Sequence, residues 1–194
     1  VGRLQHLEPR NRGSVVVALV TRGPTGAGIV AFCLPGVMWP RFLALPSVAD
    51  ATVCVLILVA AWSNVVDLYR TLWWWDIPVH AAVTTAITVM AYLSLARWRI
   101  VPPPGASGTA AAAGTLFLAL AVGLALGAVW EMVEWFGYAV ITDEIHVTYA
   151  DTIGDLAADG LGALVAGRLL VTAPQLLIPT ARPTIESSAT TRSR

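Results

Sequence analysis

Three groups of ionisable residues lie where this sequence is otherwise apolar. Asp76 and His80 are four residues apart in "WDIPVH", and Glu131 and Glu134 are three apart in "WEMVEW". Asp151, Asp155 and Asp159 recur every four residues in "YADTIGDLAADG". On a helix at about 100° per residue the aspartates form a stripe roughly 80° wide, and the glutamates share a face. Carboxylate oxygens with one imidazole suit a divalent metal such as Mn, Mg, Fe or Zn. His80, Glu131, Glu134, Asp155 and Asp159 are the candidate ligands, with Asp76 and Asp151 as secondary candidates. Such an ion could activate water for hydrolysis, with Glu131, Glu134 and His80 as the acid–base groups. The same side chains suit a proton relay or a transported cation.

Plainer roles compete for each of these residues. Asp76 precedes Ile77-Pro78 and is a natural helix N-cap; Thr148 and Asp151 can cap the last helix in the same way. Asp143, Glu144 and His146 read as a solvated loop. A single histidine in an apolar helix is often a packing group, and Glu131, Glu134, Asp155 and Asp159 could serve only to bond helices together. Against pure packing, no Arg or Lys stands near these four acids along the chain. Acids that share a depth in a low-dielectric setting need a cation, protons or water.

The surroundings of these residues define the class. Of 194 residues, 57% are hydrophobic and 12% charged, about half the charge fraction of an ordinary soluble domain. Mean hydropathy is +0.72. The formal net charge is zero and gives no basic footprint for nucleic acid. Cys33 and Cys54 fall in apolar stretches and lack metal-site spacing. The expected fold is an all-α, polytopic transmembrane helical bundle in the lipid bilayer. Its four core spans lie near 49–66, 75–96, 109–140 and 151–171, within a single domain over 14–171. An N-terminal arm (1–13) precedes them and a disordered tail (172–194) follows. "VPPPGAS" at 101–107 separates the second and third spans.

Residues 14–39 hold two short apolar runs divided by Arg22-Gly23-Pro24, either one broken span or a short hairpin. Pro35 inside the second run and the long arginine-containing leader count against a secretory signal. All twelve cations are arginine. Arg41, Arg97, Arg99, Arg168, Arg182, Arg192 and Arg194 fall on one side of the membrane when the C-terminus is cytoplasmic, with Arg70 opposite. In that orientation His80 lies about 6 Å below Asp76, and Glu134 and Glu131 roughly 9 and 13 Å below the end of the third span. Asp155 and Asp159 lie about 6 and 12 Å below Asp151. All fall in the outer half of the bilayer. Rows of small residues adjoin them, Ala119-Gly123-Gly127 leading to Glu131 and Gly154-Ala158-Gly162-Ala166 beside the aspartates; such rows let helices pack closely. The simplest arrangement points the carboxylates of the last two spans toward His80.

"WDIPVH", "WEMVEW" and "YADTIGDLAADGLGALVAG", in that order, resemble the YjdF-like family of uncharacterised bacterial inner-membrane proteins. That family's pattern has Asp-x-x-x-His, then Glu-x-x-Glu-Trp, then aspartates before a Gly-Ala helix. Here the pattern falls on Asp76 and His80, on Glu131, Glu134 and Trp135, and on Asp155 and Asp159 before Gly162-Ala163. The resemblance covers about residues 70–168 and implies a bacterial plasma-membrane location and a common site, without an established activity. A fainter likeness is to VanZ-like proteins, which share the order histidine, acidic pair, aspartate-rich helix. Three functions follow as expectations: a metal or cation site acting on a lipid-linked or envelope substrate, a small proton- or cation-coupled transporter, and a non-catalytic envelope or assembly factor.

Overall fold

The computed structural model describes residues 8–141 and 147–178, and among them the regular structure is helical. Seven α-helices follow one another: α1 Glu8–Phe32, α2 Leu34–Phe42, α3 Ser47–Val65, the single turn α4 Leu68–Thr71, α5 Asp76–Arg97, α6 Thr109–Val140 and α7 Tyr149–Thr172. The chain is a helical bundle. α3, α5 and α6 are long and apolar enough to cross a membrane. The fourth expected span, α7, has 24 residues and ample length, but Asp151, Asp155, Asp159 and Arg168 interrupt its apolar character.

The N-terminal region turns back on itself. α1 breaks at Gly23, whose φ of 73° and ψ of −164° only glycine adopts without strain. Ala18 and Val30, on either side of the break, fall in one buried cluster with Ala61 and Val65 of α3. A straight helix would hold two residues twelve apart about 18 Å from one another. Val37 of α2 packs farther along α3, with Val53 and Ile57, so the run from Gly26 to Phe42 lies antiparallel to α3. The bend thus brings both arms of α1 to the same end of α3. The helix starts at Glu8 and so includes part of the expected N-terminal arm.

α5 is the shared wall of the bundle. One side packs on α3, where Ala86 and Met90 join Val37, Val53 and Ile57, and the other packs on α6 and α7. At its far end Tyr92, fully buried, meets Ala119 of α6 and Leu170 of α7. Close approach depends on the small-residue rows. The buried positions of α6 are Thr115, Ala119, Gly123, Gly127, Glu131 and Gly137, so five of the six follow one i+4 line. On α7, Ala158, Gly162 and Ala166 are buried beside Asp155 and Asp159. A Cβ on Gly162 would overlap the Ala81 carbonyl of α5. The Thr85 hydroxyl donates across this contact to Gly162 O at 2.9 Å.

The chain continues in ordered form beyond α7. A 3-10 turn covers Pro174–Leu176, Gly105 N–H donates to Leu170 O at 2.9 Å, and Leu177 packs on the Tyr92 cluster. The tail expected to be disordered from Thr172 is therefore structured as far as Ile178. Residues 179–194, and the loop residues Asp143, Glu144 and His146, lie outside the described residues.

Candidate functional site

Three helices end or begin at the same end of the bundle and bring their acids together. α5 supplies Asp76 and His80 from its first two turns. α7 supplies Asp155 and Asp159 from its second and third turns, and α6 supplies Glu131 and Glu134 from its last third. Asp155 is 2% exposed, Asp159 1% and Glu131 7%, whereas Asp76, His80 and Glu134 are half-buried.

His80 is the centre of the cluster. Its Nδ1 lies 3.3 Å from Asp159 Oδ1, and its Nε2 lies 3.5 Å from Asp76 Oδ1. The Thr84 hydroxyl, one turn farther along α5, donates a short hydrogen bond to the same Asp159 Oδ1. Two sets of potential ligand atoms overlap at His80. Asp76, His80 and Asp155 can each place one such atom within 4.8 Å of the others, and so can His80, Glu131 and Glu134. Five of the seven candidate residues therefore lie in one of these groups. Asp159 lies in neither; it contacts the imidazole from behind.

Two buried carboxylate oxygens, Glu131 Oε1 and Asp159 Oδ2, lack a hydrogen-bond partner among the described residues. A buried unpaired carboxylate oxygen is costly, and Glu131 Oε1 belongs to a residue of the second ligand group. Its orphaned state and the oxygen-rich donor set with one imidazole fit a hard or borderline divalent cation. The oxygen Asp159 Oδ2 lies against the backbone of Gly127, where a Cβ would overlap it.

The expected caps divide. Thr148 is the N-cap of α7, its hydroxyl accepting from Asp151 N–H at 3.2 Å. Asp151 thus sits in the first turn, outside both ligand groups. Asp76 is not a cap. The N-cap position belongs to Trp75, and Asp76 is the first residue of α5, with its carboxylate turned toward His80. An acid in the first turn also suits the positive end of the helix dipole.

Two neighbours of the site were not singled out as site residues from sequence. Thr84 continues the Asp76–His80 line by four residues, and that spacing is the signal for it. Tyr69, in the α3–α5 connection, carries no such signal. Its hydroxyl donates to Ala60 O at 3.1 Å, and burial, followed by the negative charges of Asp76 and Glu134, pushes its phenol above the usual tyrosine range. Tyr69 thus remains a neutral donor next to the acids.

No curated protein and no solved structure shows a significant match to the chain. A family model does match: residues 8–175 align with the family described as Predicted membrane protein (DUF2238). That span takes in every helix from α1 to α7 and all seven candidate residues. With this coverage, and with helices of membrane-spanning length around a buried His/carboxylate group, the chain belongs to the DUF2238 family of predicted membrane proteins.

Proposed function

We propose that this protein holds a divalent metal ion at His80 and the carboxylates around it and acts hydrolytically on a lipid-linked or envelope substrate. The observation that carries the reading is the pair of ligand groups sharing His80, with the Glu131 Oε1 oxygen buried and unpartnered in one of them. Asp76, His80 and Asp155, or His80, Glu131 and Glu134, would hold the ion. When bound, such an ion supplies Lewis acidity and lowers the pKa of its water. The protein's own groups do the rest. His80 and Glu131 hold their places by burial among three helices. Glu134, less enclosed than Glu131, accepts the proton that an attacking water must lose.

The depth of the site supports the substrate class. A group buried between spans is reached from the bilayer or its headgroup layer more readily than from bulk water. The arginine distribution supports an outer-half location in a bacterial plasma membrane, with the C-terminus in the cytoplasm. The order of the three motif blocks supports a place among the YjdF-like proteins.

Elemental analysis of purified full-length protein tests the metal. Wild type is expected to carry about one equivalent, and Glu134→Gln and Asp155→Asn to lose it while remaining folded. A folded wild type that takes up no divalent ion on reconstitution sinks the proposal.

A second reading, proton or cation coupling, is favoured by one observation. Asp76, His80, Thr84, Thr88 and Tyr92 form a polar line along α5, and Thr88 is fully buried with an unpartnered hydroxyl. Proton flux into dye-loaded liposomes, lost in Thr88→Val, would favour that reading.

A further inference from the structure

We infer that Asp159 is a positioning residue, held with Thr84 so that His80 presents Nε2, and not Nδ1, to the bound ion. The inference rests on the metal reading above and assigns Asp159 a role different from that of the other acids.

A neutral imidazole has one N–H and one lone pair. Asp159 Oδ1 faces Nδ1 at 3.3 Å and also accepts from the Thr84 hydroxyl. A carboxylate accepts only, so the contact is satisfied when Nδ1 carries the proton. That leaves the Nε2 lone pair pointing toward Asp76 Oδ1, 3.5 Å away. Two acceptors facing one another at that distance repel unless a second proton on the imidazole or a metal ion lies between them. The groups able to share an ion with His80 are Asp76 and Asp155, and Glu131 and Glu134. Nε2 is the atom turned toward Asp76, the first of them.

Asp159 itself is committed elsewhere. Its Oδ1 is shared by two donors, and its Oδ2 lies against Gly127, one turn of α6 farther from the site than Glu131. At 1% exposure and enclosed by α5, α6 and α7, the carboxylate has no room to swing into the ligand groups. A carboxylate on the far nitrogen of a ligating histidine fixes its tautomer and ring orientation and raises its basicity.

The test uses full-length protein in detergent with 15N-labelled histidine. In metal-free protein the His80 resonances, assigned by their absence in His80→Ala, are expected to show that Nε2 is the nitrogen that loses its proton as pH rises, with Nδ1 still protonated. With 113Cd bound, the 113Cd–15N coupling is expected on Nε2. Asp159→Asn should keep one ion per chain and weaken its affinity about 10- to 100-fold; Thr84→Val should weaken it less, with the coupling still on Nε2. Coupling on Nδ1, or complete loss of the ion in a folded Asp159→Asn, overturns the inference and makes Asp159 a ligand. If wild type binds no metal, the metal reading fails separately. The metal-free spectrum then decides alone: a protonated Nδ1 altered by Asp159→Asn supports the positioning role, and a bare Nδ1 overturns it.

Discussion

Gly127 of α6 lies directly beneath the Asp159 carboxylate of α7, and a methyl group at position 127 would occupy the place of Asp159 Oδ2. Gly127→Ala is therefore expected to push α6 from α7 and to cost about 1–3 kcal/mol, the usual penalty for overpacking. Gly162→Ala should cost at least as much, because its Cβ meets the Ala81 backbone carbonyl, which cannot rotate away. Gly114→Ala is the control, since nothing lies within 4 Å of its Cβ position. Thermal unfolding in detergent ranks the three; equal midpoints for Gly114→Ala and Gly162→Ala would contradict the close approach.

Metal affinity should fall as pH is lowered. The carboxylates and His80 bind an ion only when deprotonated, so protons compete for the same atoms and binding releases them. Calorimetric titrations in buffers of different ionisation enthalpy would count the protons released. An affinity independent of pH between 5 and 8 would argue against these ligands.

Tyr69 offers a pH test that needs no metal. Its phenol is raised by burial and by Asp76 and Glu134, whereas an unfolded tyrosine ionises near about 10. Above that pH the unfolded chain holds fewer protons than the folded one, so stability declines as pH rises. In Tyr69→Phe the alkaline loss should be smaller, read as unfolding midpoints at pH 9 and 11. Subtracting the variant's phenolate absorbance titration from that of wild type should give a transition above the usual range.

Tyr92 ties the far end of the bundle. Its hydroxyl contacts Thr115 Oγ1 of α6 and Pro102 O of the α5–α6 connection, each at 3.1 Å. Tyr92→Phe removes both and leaves the Thr115 hydroxyl buried, at an expected cost of about 1–2 kcal/mol. Thr115→Val added to that variant should cost less than Thr115→Val alone, because the two groups interact. Additive losses in thermal unfolding would show that they act separately.

The helices of the bundle were legible because apolar composition and Pro/Gly breaks act locally. The expected 75–96 and 109–140 correspond to Asp76–Arg97 and Thr109–Val140. That the acids of three helices meet at one end of the bundle was legible too, since rise per residue is fixed. The partner of each nitrogen of His80 was not. Asp155 and Asp159 share a helix face but lie about 6 Å apart along the axis, and only packing decides that one meets Asp76 and the other Nδ1. The Asp76 cap was misread for a related reason. Capping and first-turn positions differ by one residue, and the helix began one residue earlier, at Trp75 as cap. For the N-terminal runs, Gly23 marked the break, but contact of both arms with α3 depends on residues 61 and 65, far along the chain.

The acids of α7 also bear on how the protein is made. Each aspartate near the middle of a span costs roughly 2.5–3.5 kcal/mol on insertion scales, and α7 follows α5 and α6 in the chain. Its own sequence is a weak membrane signal, while its buried face matches α5 and α6, which precede it. Insertion of α7 is therefore expected to depend on α5 and α6, against which it packs. Until it occurs, His80 lacks Asp159, and a nascent chain halted before Tyr149 would expose polar groups of the kind that membrane quality control removes.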